Sequence, residues 1–434
     1  MYRADAARTG VVTGVTGPNP AGGFYWKFPT ADQIVASPVT FGQWVFVPST
    51  DNRLYAIDMT DGSELWSYDA GEALRATAAV AELRSAGVGG QGGTRPVVAF
   101  GDTGGTVYLR DVFTQGGGPF WSVPTSGSIV GSPLIVGSRV IVASSRPDSG
   151  QVISLLPLTQ EVEWTYPPIG EEPIGPIQGA PAFHEGMIYV TTTGIGGILY
   201  GIDAETGVPR CQSQPLGDLA FPPVIVDGVV YVTTSERFVY PFVAGSCTSK
   251  PANRQFQYDF PGGVTAAPVI VGDVMVVPNG SNLVAVDLTS TDRGASLWIF
   301  PSGAVIQSSP VVAGDTVYFG NNSGTVFAVA LNTDDPAGEL RWSWRTGSAV
   351  VSSVAVIDGV VFVTSTNGIV YAIGEATEAD TTGGTVPDTT QPGTTGPDTT
   401  VPDTTDTTEP DMTTTTQVPV VTTLIPPPGV GGAQ

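Results

Sequence analysis

Histidine occurs once, at His184, and cysteine twice, at Cys211 and Cys247, in a chain of 434 residues. This scarcity removes whole classes of chemistry. A zinc site built from His and Cys has too few donors to draw on, and a Cys–His nucleophile pair would depend on the single histidine. His184 lies in "APAFHEGMIYV", beside a strand-to-strand turn, and reads as a surface or structural residue. Basic residues are scarce as well: 17 Lys and Arg stand against 40 Asp and Glu, for a formal net charge of −23. That balance argues against nucleic acid as a partner, because phosphate binding needs a basic surface. Part of the charge is local, since the chain after Gly374 carries nine acids and no Lys or Arg. No run approaches about 20 consecutive apolar residues, so no transmembrane helix is expected.

Glycine and proline are plentiful, at 56 and 37 residues. β-Branched residues fall in short runs between them, which is the composition of an all-β protein with many turns. The runs repeat. Twelve residues separate Trp26 from Pro38 ("WKFPTADQIVASP"), Trp66 from Ala78, Trp121 from Pro133, Trp298 from Pro310 and Trp342 from Val354. The same interval joins Cys211 to Pro223 and Phe256 to Pro268, and only Trp164 to Pro181 is longer. These are eight units with a mean period of about 45 residues, the spacing of four-stranded propeller blades.

Each unit reads alike. A strand follows small residues ("SPVTF", "SPLIV", "APVIV"), then come a two-residue turn, an alternating second strand ("VYVTT", "VYFGN"), a third ("RLYAID", "NLVAVD") and a fourth that carries the Trp. Alternation broken by Gly, Asn and Asp is a hairpin signal. "FYWKF" at 24–28 looks like a fourth strand with no first three, and the last unit, 350–374, has three strands and no fourth. The spacing therefore predicts an eight-bladed β-propeller over 20–375, closed when the N-terminal strand completes the last blade. A lead-in occupies 1–19 and a tail occupies 376–434.

The stretch "AIDMTDGSELW" resembles the tryptophan-docking motif of the pyrroloquinoline quinone (PQQ) repeat family, within the quinoprotein alcohol dehydrogenase-like superfamily. Ala56, Asp58, Gly62 and Trp66 match the motif, and Asp61 stands where Thr is usual. "GIDAETGVPRC" matches through Asp203, Thr206 and Gly207 but ends in Cys211. The opening "MYRADAARTG" resembles the lead-in of many exported members. The resemblance implies that each Trp stacks on a Gly-containing turn of the next blade. Trp26, Trp66, Trp121, Trp164, Phe256, Trp298 and Trp342 are then blade-docking residues rather than a cofactor floor. Cys211 sits in the Trp position and Phe256 in that of the next unit, so two neighbouring blades lack the usual weld. A Cys211–Cys247 disulfide would compensate; the alternative is two unpaired thiols. A disulfide would imply an oxidising compartment.

In quinoprotein dehydrogenases the resemblance implies an axial funnel with adjacent cysteines in many members, acidic and amide calcium ligands, a catalytic Asp, an Arg and a stacking Trp. This chain has no Cys-Cys pair and no "DxDxDG" calcium loop. Its axis is expected to be lined by the starts of the first strands: Ala36–Ser37, Arg75–Ala76–Thr77, Gly131–Ser132, Gly179–Ala180, Phe221–Pro222, Ala266–Ala267, Ser308–Ser309 and Ser352–Ser353. Arg75 is the one long polar residue among them and the candidate funnel residue. No catalytic residue, cofactor or metal ligand is assigned.

The segment from about Thr377 is a Thr/Pro/Asp repeat that cannot bury a core. It is expected to be disordered, and it looks like a cell-surface stalk or wall spacer. No signal peptide begins at Met1, yet Met1 falls inside the family-like lead-in, so an upstream start and export are expected. The sequence thus reads as a non-catalytic, extracytoplasmic, monomeric propeller that binds a protein or cell-wall glycan. The nearest functional analogy is the propeller lipoprotein of the outer-membrane β-barrel assembly machine, for fold only, since no lipobox Cys is present. The alternatives are a PQQ- and calcium-dependent dehydrogenase, and a glycan-binding propeller with Trp44 and Trp344 as candidate aromatics.

Overall fold

A computed structural model describes residues 5–15, 17–18, 23–84, 94–113, 121–194, 196–248, 258–290 and 295–374. Phe256, most of the insertion at 82–96 and the tail lie outside the described residues. Every regular element among those described is a β-strand, and the strands form eight antiparallel four-stranded sheets, one of which gains a short fifth strand. In chain order the blades span 39–69, 79–124, 134–166, 182–212, 224–259, 269–301 and 311–345; blade 8 is built from 355–374 and 23–29. The eight-bladed, all-β propeller expected from the repeat is what forms.

Local chemistry explains the hairpins. The first turn of blades 4, 5 and 8 places two successive residues at positive φ: Glu185–Gly186 (45° and 80°), Asp227–Gly228 (48° and 69°) and Asp358–Gly359 (47° and 77°). That is the type I′ geometry, whose twist matches the twist of the strands it joins. The middle strands are buried on both faces. Val45–Val47 and Val140–Ala143 are nearly inaccessible, because every blade is covered by a neighbour on each side. The core is therefore distributed between blades. One cluster joins Phe46 and Trp66 of blade 1 to Val98, Phe100 and Tyr108 of blade 2.

The ring closes as the sequence predicts. Gly23–Pro29 pairs antiparallel with Ile369–Gly374, placing Trp26 beside Ala372. A second N-terminal segment has no counterpart in the repeat. Val11–Val12 adds in parallel to the inner strand of blade 7, beside Val312 and Ala313. The residues before it run under the ring: Ala6 O accepts from Phe183 N of blade 4 (2.8 Å), Ala7 O from Ile225 N of blade 5 (3.0 Å) and Gly10 O from Val312 N (2.9 Å). Asp5–Val12 is thus a strap across one end of the axis.

Candidate functional site

Three regions could carry function: the blade junctions, the axis and the strap. At the junctions, four indoles meet the residue that follows the third strand of the next blade. Trp26 Nε1 donates to Met59 O (2.8 Å), Trp66 to Val112 O (3.1 Å), Trp164 to Ala204 O (3.2 Å) and Trp298 to Leu331 O (2.9 Å). Trp342 faces blade 8, whose fourth strand comes from the N-terminus, and donates instead to Pro18 O (3.1 Å). Trp121 is half-buried against the cluster shared by blades 2 and 3. Two glycines show how close the rings come. A Cβ on Gly62 would lie 2.6 Å from the Trp26 ring, and one on Gly207 would lie 2.7 Å from the Trp164 ring; both sit at positive φ.

The junction between blades 4 and 5 differs. Cys211 and Cys247 are disulfide-bonded, with a Cα–Cα separation of 5.5 Å. Cys211 lies in the fourth strand of blade 4, and Cys247 lies just past the third strand of blade 5, where an indole would dock. Gly201 pairs with Cys211 where blade 1 pairs Ala56 with Trp66. A Cβ on Gly201 would stand 2.6 Å from the Cys211 sulfur, so its absence makes room for the cystine.

The axis is lined by all eight strand starts. A cavity of about 210 Å³ is bounded by residues such as Ser37, Thr77, Ser132, Ala180, Ala266, Ser309 and Ser353. Just before each of these strand starts, one aliphatic side chain is buried: Ile34, Leu74, Ile129, Ile177, Leu219, Val264, Ile306 or Val350. Hydroxyls tie adjacent blades together: Ser37 N donates to Thr77 Oγ1 (2.9 Å), Ser353 N to Ser37 Oγ (2.9 Å) and Ala267 N to Ser309 Oγ (3.2 Å). Arg75 is exposed in this lining and is the one charged residue in it among the described residues. Gln178, Gln307 and Phe221 share the mouth.

At the opposite end the strap inserts Arg8, which is fully buried. Its Nε donates to Pro181 O (2.9 Å) and its Nη2 to Pro133 O (3.0 Å), which ties the strap to blades 3 and 4. Arg110 is a second fully buried arginine. It takes the place that Ile57 holds in blade 1 and stacks 3.7 Å over the Tyr68 ring, while Nη1 donates to Leu109 O (3.1 Å). Burial pushes its pKa down, partly offset by Tyr68. Its Nε and Nη2 have no hydrogen-bond partner among the described residues. Neither arginine was singled out by sequence reasoning. Arg8 lies outside the repeat, and Arg110 would have stood out only in a superposition of the third strands.

Elsewhere the singled-out side chains have ordinary surroundings. His184 is partly buried, 3.9 Å from exposed Glu185. Trp44 packs on Phe46, Trp66 and Phe113, and Trp344 packs edge-on against Tyr371 at 4.9 Å. The two tryptophans are not brought together with paired carboxylates. Asp203, in the turn before Cys211, accepts from Arg210 (2.8 Å) and Thr206; the Arg210 guanidinium foremost holds its carboxyl down to about 2.

Comparison with known proteins adds to this geometry. The family model described as outer membrane protein assembly factor BamB matches residues 18–111 and 168–381, more than half of the chain. No curated protein matches the sequence. Among solved structures, BamB from Moraxella catarrhalis superposes with a TM-score of 0.61 at 17% identity, covering 82% of this chain and 100% of that one. Quinohemoprotein alcohol dehydrogenase from Comamonas testosteroni gives 0.67 at 15% identity, over 87% and 80% of the two chains. The computationally designed protein Ika8 gives 0.63 at 12% identity, over 80% and 98%. At such identities these likenesses show the fold alone.

The quinone chemistry that the superfamily implies can be tested against the axial lining. A calcium ion takes six to eight oxygen ligands and draws on carboxylates for charge. The lining supplies no carboxylate, and among the described residues no group of three or more His, Cys, Asp or Glu is placed to hold a metal. The residues on the axis do not fit a quinone–calcium pair.

Proposed function

The chain belongs to the family of the outer membrane protein assembly factor BamB, and from that premise we propose that it is a non-catalytic, extracytoplasmic propeller acting as a binding or scaffold module for a protein or cell-envelope partner. The observation that carries this reading is the axial lining. Where a propeller enzyme would gather acids and bases, this one has small residues, hydroxyls that tie blade to blade, and a single cation, Arg75. Nothing in that set can take or give a proton near neutral pH, which general acid–base chemistry requires. The cystine supports an oxidising compartment, since such bonds persist outside the reducing cytosol. No described helix is long and apolar enough to cross a membrane.

The test is calorimetric titration of chelator-treated protein with PQQ and Ca²⁺. We expect no saturable heat. Tight, saturable binding would overturn the reading in favour of a dehydrogenase and direct attention to Arg75.

A further inference from the structure

The strap leaves part of the inner rim uncovered. In every blade but blade 2 the middle residue of the inner strand faces the residue five further on: Phe183 faces Ile188, Ile225 faces Val230 and Val312 faces Val317. In these three blades the N–H of that residue points to the axis and a strap carbonyl accepts it. Thr40 faces Val45, and Val356 faces Val361, so they hold the same register in blades 1 and 8. No carbonyl among the described residues accepts an N–H from either. A strand edge with unused donors is a template for another chain.

Thr40 and Val356 both line a groove of about 330 Å³ between the strap and the inner strands of blades 8 and 1. Its walls mix apolar side chains, Val12, Val39 and Ile357 among them, with the hydroxyls of Thr13, Ser37 and Ser353, and among the described residues Asp5 is the one charged residue that lines it. The groove continues an interface that already exists, because Val11–Val12 lies along the inner strand of blade 7 at its border.

We propose that this groove binds an extended segment of a partner protein, rich in small β-branched side chains and carrying a Lys or Arg at one end. Its carbonyls accept from Thr40 and Val356 N–H, as the strap's accept from Phe183, Ile225 and Val312. Alternate side chains pack on the valines and Ile357 of the groove, and the Thr hydroxyls among them can meet Ser37 and Ser353, since a strand presents every second residue to one face. Its cation meets Asp5, in keeping with a chain of net charge −23. This site rests on the reading of the protein as a binding module, and names the surface and the chemistry of the partner.

The experiment uses the full chain labelled with ¹⁵N-valine, and the peptide acetyl-Lys-Val-Thr-Val-Thr-Val-amide as probe. In the free protein the Val356 amide should exchange with solvent at least about tenfold faster than that of Val312, which the strap covers. Saturating peptide should slow Val356 by about tenfold and leave Val312 unchanged. Thr40→Arg, which crowds the groove and repels the probe's cation, should weaken binding at least about tenfold with an unchanged melting midpoint. Equal exchange at Val356 and Val312 in the free protein, no slowing by the peptide, or undiminished binding to T40R would each overturn the proposal. The wild-type exchange comparison holds even if the variant folds poorly. A negative peptide result leaves the quinone titration untouched, so failure of the groove and failure of the module reading are told apart.

Discussion

The junction between blades 6 and 7 and the junction between blades 4 and 5 solve one problem with opposite means. At the first, Trp298 is 1% exposed, donates to Leu331 O at 2.9 Å and packs close to Gly338. At the second, a cystine crosses the same gap, with Gly201 supplying the space. The indole holds the folded ring by burying apolar area and satisfying a carbonyl, and both terms exist only in the folded state. The cystine acts largely on the unfolded chain, whose freedom it restricts. One weld depends on packing and the other on redox conditions.

The largest expected effect comes from breaking the packed weld. Trp298→Ala should lower unfolding free energy by about 3–5 kcal/mol, because a buried indole leaves a cavity that stiff flanking strands cannot fill. Denaturant melts read this directly. A loss under about 1 kcal/mol would mean that the indole is not what holds blades 6 and 7.

Reduction should have a somewhat smaller effect. Closing a loop across a separation of 36 residues makes the cystine worth about 2–4 kcal/mol, so melts with and without reductant should differ by that amount in the wild type and not at all in Cys211→Ala. Trp298→Ala should keep its full reductant sensitivity, since distant sites add. If reductant has no effect on the wild type, the covalent half of the comparison fails.

The smallest effect concerns the charged turn beside the cystine. Arg210 and Thr206 hold the Asp203 carboxyl at about 2, below its ordinary value, so its contribution is complete above roughly pH 4 and is lost as pH falls toward 2. The pair is exposed, which limits the contribution to a fraction of a kcal/mol. Asp203→Asn should lower stability slightly and equally at pH 7 and pH 4, with the difference from the wild type vanishing toward pH 2. An equal loss persisting at pH 2 would mean that the turn, not the charge, was disturbed.

The blades were legible because each repeats a local pattern. The interval from Trp to the next small-residue start recurs around the ring, and the orphan "FYWKF" against an incomplete last unit disclosed the closure. Cys211 in a Trp position pointed to the bond it forms. The strap was not legible. Its contacts join residues such as Ala6 and Phe183, far apart in sequence, and no periodicity announces them. Arg8 reads as a solvated surface charge by its type, since arginine is rarely fully buried; only the cluster of carbonyls at Pro133 and Pro181 makes burial tolerable. The groove at Thr40 and Val356 was hidden for the same reason, since it is defined by where the strap does not reach.

The pairing of Gly23–Pro29 with Ile369–Gly374 also has a consequence in time. Of the strands that build the blades, the earliest made belongs to the last blade to be finished. Seven blades can hairpin locally as they emerge, while this strand must wait until some 340 further residues have been made, tens of seconds at ordinary synthesis rates. Until then the edge of Gly23–Pro29 that Ile369–Gly374 covers has no partner strand. The growing chain therefore carries an open strand edge at Gly23–Pro29 while seven blades are made, and an assistant that shields that strand would do more for its yield than one that acts on any other blade.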